Sequence, residues 1–218
     1  MTSIIFPRPI IAGGVLSQGF DPARVDYLSP ETGGRIYSVA AGSPLWSMTL
    51  GYNNLLIPDA YALKAWVDSL DGAKQLIFAF DIDRQIPLYH QSGRPFAASP
   101  ATWSQTINDD DVPLLELTGL LRGQVVSVGD YVSFVWGGGK KFALVRALEA
   151  ARADASGTAE FAVTPAVPTL IVPPEATTTL RRAGCLMRQV TAETKLMEIG
   201  TDCMPAGSKV VALQDLIP

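Results

Sequence analysis

The chain has 218 residues, 48% of them hydrophobic and 17% charged, with a formal net charge of −4 and a pI near 5.0. Its length allows one large domain or two small ones. The acidic balance argues against nucleic-acid recognition, which needs clustered lysine and arginine, and no apolar run approaches the roughly 18 residues that cross a bilayer. We therefore predict no nucleic-acid partner and no membrane insertion.

A chain this apolar and without an export signal is typical of two kinds of protein, one that packs against partner subunits and one that is a well-packed β protein. The N-terminal segment bears on this choice. Residues 4–6 and 10–15 favour extended structure, but Pro7 and Pro9 restrict a strand here to a sheet edge. The segment either lies on a neighbouring copy or folds back as an edge strand. In the first case, deleting residues 1–12 lowers oligomer formation without unfolding the monomer.

The next stretch predicts a loop and two strands. Residues 21–34 are turn-rich and predict a loop, and residues 35–40 predict a short strand. From position 45 large apolar residues alternate with small ones, which predicts a strand with one apolar face. The large residues of this strand are Trp46, Met48, Leu50 and Tyr52.

One amphipathic helix is predicted, over about residues 59–71. Pro58 opens it, Asp59 is placed to cap its first free amides, and Gly72 follows where a left-handed cap belongs. Its apolar stripe, at i, i+3, i+4 and i+7, consists of Leu63, Trp66, Val67 and Leu70. Alternation over residues 75–81 then predicts another strand that covers this stripe.

Residues 84–111 are rich in proline, glycine and serine and predict a long hairpin or loop, with short strands at 87–89 and 101–106. An irregular stretch of this length in a compact domain is usually a binding loop or an interface. Beyond it, short strands separated by glycine and aspartate turns predict a small barrel or sandwich. Helix propensity competes with strand over residues 142–148, and the flanking turns favour strand.

The sequence thus predicts a mainly β fold, a β-sandwich carrying one amphipathic helix (about 59–71) plus a small β-barrel-like domain. We predict strands at 176–182, 185–190, 194–199 and 209–213. Residues 1–112 with 176–218 are assigned to the sandwich, a discontinuous ring-forming domain, and residues 113–175 to the barrel.

Several turn motifs follow one another along the chain. They are Leu-x-Gly at residues 70–72 after the predicted helix, Gly-Leu at 119–120, Gly-Asp-Tyr at 129–131, Asp-x-x-Gly at 154–157 and Pro165 at the end of a predicted strand. In this order they resemble the minor tail and distal tail proteins of long-tailed bacteriophages, which show a helix ending in Leu-x-Gly, then an aromatic strand, and then these turns before a strand that ends in proline. The resemblance covers about two thirds of the chain, and residues 1–40 and 84–111 match nothing in it.

The resemblance implies a structural virion protein of the phage tail tip, located in the virion and, during assembly, in the host cytoplasm. Such a protein forms a ring of identical copies, usually six-fold, that joins the tail tube protein to the hub or fibre proteins. Apolar contacts between neighbours would close the ring. We name Ile4, Phe6, Ile10 and Trp103 as candidate interface residues.

The alternative is a carbohydrate- or receptor-binding β module of the tail, in which Trp103 or Trp136 would stack on sugars. A hydrolase on a β scaffold is a third hypothesis. His90 is the single histidine, it lies in a predicted loop, and no GxSxG motif accompanies it, so we expect a solvated or interface histidine and no enzyme.

We also predict no metal and no cofactor. Asp81 with Asp83, and residues 109–111, offer carboxylates, but neither group is followed by the glycine and distal glutamate of a calcium loop. Residues 137–140 fit a hairpin turn better than a phosphate loop. Cys185 and Cys203 either form a single bridge or remain two reduced thiols.

Overall fold

The computed structural model describes residues 4–30, 33–34, 36–40, 42–53, 55–197 and 207–217. Within these ranges the chain is mainly β, with sixteen strands and one α-helix, which confirms the predicted fold class at that level. Two six-stranded sheets dominate, and two small ribbons complete the β structure. None of the helical segments in the described ranges is long and apolar enough to cross a membrane.

The first sheet combines the N-terminal third of the chain with its C-terminal strands. Its strands are β1 Arg8–Pro9, β2 Val15–Ala23, β5 Leu45–Tyr52, β6 Leu76–Phe80, β15 Gly184–Gln189 and β16 Ser208–Gln214. Their order in the sheet is β1-β6-β15-β16-β5-β2. All neighbours are antiparallel except β1 and β6, which run parallel.

The second sheet is built from the middle of the chain. Its strands are β7 Thr102–Ile107, β8 Pro113–Thr118, β10 Tyr131–Trp136, β11 Lys141–Ala147, β13 Ala159–Thr164 and β14 Thr177–Thr179, in the order β14-β10-β11-β13-β8-β7. The ribbons are β3 Asp26–Pro30 with β4 Ile36–Ala40, and β9 Val125–Val126 with β12 Ala151–Arg152. Among the described residues the second sheet stays open, with β14 and β7 as its edges.

The predicted strand–helix–strand unit is present, with a shifted helix. The alternating residues of β5 are buried on one face, as predicted. Helix α1 spans Ile57–Asp68 and buries Ala60, Leu63, Trp66 and Val67. Leu56 occupies the N-cap position without a side-chain cap bond, so the prediction that Asp59 caps the helix is wrong. Asp59 lies in the first turn, where its charge favours the helix dipole.

The N-terminal segment folds back as an edge strand. Strand β1 pairs with β6, and the Ile10 amide donates to the Phe78 carbonyl at 3.3 Å. The Trp66 indole donates to the Pro9 carbonyl at 3.2 Å, and the Tyr52 hydroxyl donates to that of Ile11 at 2.8 Å. Of the two alternatives for this segment, the structure therefore supports the edge strand.

Residues 84–111 pack closely against the second sheet. The predicted strand at 87–89 is wrong, since Leu88–His90 is a short 3₁₀ helix, whereas the strand predicted at 101–106 is present as β7. The buried Gln124 accepts from the Ala97 amide at 2.8 Å and donates to the Ala97 carbonyl at 3.2 Å. The buried Asp130 accepts from the Leu88 and Ser127 amides at 2.9 and 2.7 Å.

Other strand predictions have mixed outcomes. The strand favoured over residues 142–148 is β11. Of the four C-terminal strands, those near 176–182, 185–190 and 209–213 are present as β14, β15 and β16. The one at 194–199 is wrong in its described part, where Lys195 forms an isolated bridge with Lys209, and its last two residues lie outside the described ranges.

Two of the turn motifs that carry the family resemblance meet in space. The Leu120 amide donates to the Gly157 carbonyl at 3.0 Å, which joins the Gly-Leu turn to the Asp-x-x-Gly turn. Asp154 closes its own turn by accepting from the Ser156 and Thr158 amides. Gly157 has φ +81°, and a Cβ there would lie 2.4 Å from the Leu120 carbonyl oxygen.

Gly157→Ala is therefore expected to lower the free energy of unfolding by about 2–4 kcal/mol, through left-handed backbone strain plus a backbone clash. Gly138→Ala is the matched control, because Gly138 also has positive φ (+69°) but a Cβ there would meet nothing within 4 Å. The control should lose only about 1–2 kcal/mol in urea denaturation. Equal losses in the two variants would contradict the close approach at Leu120.

Candidate assembly surface

A short β ribbon projects apolar side chains that no other part of the described chain covers. We call β3 and β4 together the hairpin arm. They pair from Asp26 opposite Ala40 to Pro30 opposite Ile36, and neither strand joins a six-stranded sheet. The loop predicted over residues 21–34 is thus wrong in its described part, since that stretch contains the end of β2 and all of β3.

Both faces of the hairpin arm are apolar. Alternation along the strands and the observed register place Tyr27, Tyr37 and Val39 on one face and Leu28, Pro30 and Ile36 on the other. The five large side chains other than proline are 50–67% exposed. At about 200 Å² for a fully exposed side chain of this size, they present roughly 600 Å² to solvent. Exposed apolar surface of this extent is typical of a protein interaction site.

A cleft of about 190 Å³ lies at the start of α1, and we call it the helix-edge cleft. Its lining includes Ile11, Gly14, Tyr52, Leu55, Ala62 and Leu63. Gly14 has φ +77°, a left-handed conformation that favours glycine, and a Cβ there would lie 2.3 Å from Cδ2 of Leu55, just before the helix. Burial raises the pKa of the Tyr52 phenol, which stays protonated and donates to the Ile11 carbonyl.

Exposed apolar side chains flank the helix-edge cleft in the sequence. Leu56 is 72% exposed and Tyr61 is 59% exposed, next to the lining residues Leu55 and Ala62 respectively. Leu16, 73% exposed, follows the Gly14 turn by two residues. Asp59 also lines the cleft, and the rest of the lining and these neighbours are mostly apolar and distinct in sequence from the hairpin arm.

A polar cavity of about 390 Å³ lies where the two large sheets meet. The Tyr131 hydroxyl donates to Asp81 at 3.0 Å, and Arg146 pairs with Asp21 at 2.8 Å. Burial and the neighbouring Asp81 carboxylate raise the pKa of Tyr131 to about 12, so the phenol keeps its proton at neutral pH. These groups bond to one another across the two sheets, and they link the sheets.

The four predicted interface residues lie in different environments. Ile4 is 59% exposed, whereas Ile10 is buried in the first core and Phe6 packs against that core. Trp103 is half-buried on β7, with its ring 4.7 Å from Phe134 and its indole donating to the Ala176 carbonyl at 3.2 Å. Their role at an interface stays a prediction. The structure does not bring the four together with the hairpin arm.

The histidine expected to be solvated or at an interface is buried. His90 is 3% exposed, its Nε2 accepts from the Val125 amide at 3.3 Å, and its ring packs near Tyr89 and Phe96. The expectation of a solvated side chain is wrong because the 3₁₀ turn presses the ring against β9. Its Nε2 is bonded to a backbone amide, whereas its Nδ1 is buried without a hydrogen-bond partner among the described residues.

The carboxylates and cysteines that the sequence analysis considered lie in the following environments. Asp81 accepts from the amides of Asp83 and Arg84, as a turn-capping carboxylate does. No group of three or more metal-ligating side chains occurs in the part of the chain that the structure describes. Cys185 is a free, buried thiol whose pKa is raised by burial, and Cys203 lies outside the described residues.

The tryptophans considered for sugar stacking both pack against the second core. Trp136 is partly buried there, as Trp103 is, and sugar stacking by either ring stays a prediction. The short strand predicted at residues 35–40 is present as β4, but its partner β3 and the ribbon that they form are not predicted. The signal that marks the ribbon is a pair of short apolar runs, residues 27–28 and 36–39, on either side of Gly33 and Gly34.

Comparison with known proteins adds no relative to these observations. No protein-family model matches the chain, and no curated protein matches its sequence significantly.

Proposed function

We propose that the chain is a structural protein of the tail tip of a long-tailed bacteriophage, forming a ring of identical copies between the tail tube and the hub or fibre proteins. The proposal includes the β-sandwich with a small barrel-like unit and the domain division at residues 113–175. It also includes location in the virion, after assembly in the host cytoplasm. The order of the turn motifs supports the family, and the hairpin arm supports self-assembly.

The hairpin arm is the single observation that carries this function. Isolated two-stranded ribbons are marginal in water, and this one has apolar side chains on both faces. A standard interface buries about 800 Å² on each partner, and the arm alone offers roughly three quarters of that area. A surface of this size and composition is explained by a partner that covers it.

Replacing residues 26–40 by a short glycine–serine linker is expected to convert the assembled protein to a monomer of slightly under 23.3 kDa. The two large cores lie outside the hairpin arm, so the circular dichroism spectrum should keep its β signature. Native mass spectrometry and negative-stain microscopy at micromolar concentration measure the change, with the full-length chain giving closed rings.

The control variant is Leu170→Ser, which removes a fully exposed leucine from outside the arm and should leave the rings intact. A full-length chain that stays monomeric and is retained on a glycan column would contradict ring assembly and favour the carbohydrate-binding alternative. Rings that persist without the arm would remove the observation on which the function depends.

A further inference from the structure

We infer that the hairpin arm of one copy docks in the helix-edge cleft of the next copy, in a head-to-tail contact. The inference rests on the proposed self-assembly and specifies which two surfaces meet. The occupant of the cleft is thus a second copy of this chain.

The position of the two surfaces on strand β2 is the first argument. The helix-edge cleft adjoins the start of β2, where Gly14 precedes Val15, and the hairpin arm begins three residues after the strand ends at Ala23. Nine residues of extended chain at about 3.3 Å each separate the two by roughly 25 Å or more. The arm and the cleft therefore occupy opposite ends of one strand.

A chain cannot fill its own cleft with its own arm. Each arm strand has five residues, so the paired part of the arm reaches about 17 Å from its root. That reach falls short of the distance along β2, and pairing with β5 holds β2 in place over its length. A contact between an arm and a cleft therefore joins two copies of the chain.

The size and lining of the cleft fit a protein side chain. Its volume of about 190 Å³ is below the 300 Å³ from which small-molecule sites usually start, but it accommodates an aromatic ring. Leu55, Ala62 and Leu63 provide apolar walls, and exposed Leu56 and Tyr61 extend the contact beyond the cleft. Tyr27 and Tyr37, on one face of the arm, are the aromatic side chains that fit this cleft.

Head-to-tail contacts have a geometric consequence. Every copy that accepts an arm at one end of β2 offers its own arm at the other end, so contacts propagate. They end in a ring when the rotation between copies closes and give an open filament when it does not. Two copies that exchanged arms reciprocally would stop at a dimer instead. The contact thus accounts for a ring without a second interface.

A mixing experiment tests the contact. The arm variant is Tyr27→Ser/Tyr37→Ser, and the cleft variant is Leu56→Asp/Ala62→Arg, in which both altered cleft positions are exposed and aspartate is a favourable N-cap. Each variant alone should be monomeric in native mass spectrometry. An equimolar mixture should form a species of two copies and nothing larger, because one intact arm and one intact cleft remain.

The matched control for the cleft is Ala65→Arg, which adds the same side chain at an exposed position one turn further along α1. This control should assemble like the unmodified chain. A cleft variant that assembles normally, or a mixture that contains only monomers, would overturn the contact while leaving self-assembly intact. An unmodified chain that is monomeric would overturn the proposed function as well, and one that stops at two copies would indicate reciprocal exchange in place of a ring.

Photo-crosslinking gives a second readout that does not depend on the folding of the variants. Benzoylphenylalanine in place of Tyr27 should crosslink to peptides that contain residues 55–63 of another copy. The same probe in place of Tyr89, an exposed tyrosine on the 3₁₀ turn, should not reach these peptides. Crosslinks from position 27 confined to other regions would contradict docking in the cleft.

Discussion

Replacing Trp46 by alanine is expected to lower the free energy of unfolding by about 3–5 kcal/mol, which is the usual cost of truncating a buried aromatic side chain. Trp46 is fully buried on β5, and its indole donates to the Leu144 carbonyl on β11 at 2.6 Å. Its ring stacks on Phe20 at 5.3 Å and meets Tyr131 edge-on at 5.6 Å. One side chain therefore ties the first sheet to the second.

Trp46→Phe separates the hydrogen bond from the packing. Phenylalanine keeps most of the buried ring but leaves the Leu144 carbonyl without this donor, so we expect a smaller loss of about 1–3 kcal/mol. Urea denaturation followed by far-ultraviolet circular dichroism measures both variants, with Leu170→Ala as the exposed control. A Trp46→Ala variant as stable as that control would contradict the role of Trp46 between the sheets.

Deleting residues 1–12 is expected to unfold the protein, or to lower its stability by several kcal/mol, which is a large share of the roughly 5–15 kcal/mol that stabilises a typical domain. The deletion removes strand β1 and buried Ile10, and it leaves the indole of Trp66 and the hydroxyl of Tyr52 without their carbonyl acceptors. Loss of a large buried side chain, and loss of the acceptor of each of two buried donors, costs about 1–3 kcal/mol each.

This result differs from the sequence-based expectation that the same deletion affects only oligomer formation. The matched control removes residues 1–5, which takes away exposed Ile4 and Ile5 but keeps β1. That shorter deletion should leave the urea midpoint nearly unchanged. A stable, folded chain that lacks residues 1–12 would show that β1 adds little to the first sheet.

The parts of the fold that the sequence predicts well are those in which one face is buried. Strand β5 alternates because every second side chain enters the core, and α1 carries its stripe because Leu63, Trp66 and Val67 pack inward. The start of α1 is predicted too late because a good capping residue, Asp59, lies inside the first turn while Leu56 takes the N-cap position. Local propensity is a better guide to whether a helix is present than to the residue at which it begins.

The hairpin arm is predicted only in part. Its second strand, β4, matches the short strand predicted at residues 35–40, whereas β3 falls in the stretch predicted as a loop. The arm is apolar on both faces, so it shows no alternation of apolar and polar residues, and Pro22 and Pro30 add turn signals at its border and end. The burial of His90 is not predicted either, because it depends on contacts with Val125 and Phe96, which are distant in sequence or set by loop conformation. Neither feature leaves a periodic signal in the chain.

The hairpin arm also has a consequence for copies that have not yet assembled. A ribbon with free edges and exposed tyrosine, leucine and isoleucine side chains is a template for aggregation with any extended chain it encounters. When many copies are synthesised at once, such a subunit aggregates instead of assembling, unless assembly removes the free copies quickly. The ribbon through which copies bind one another thus also limits the concentration of the subunit that stays soluble in a cell.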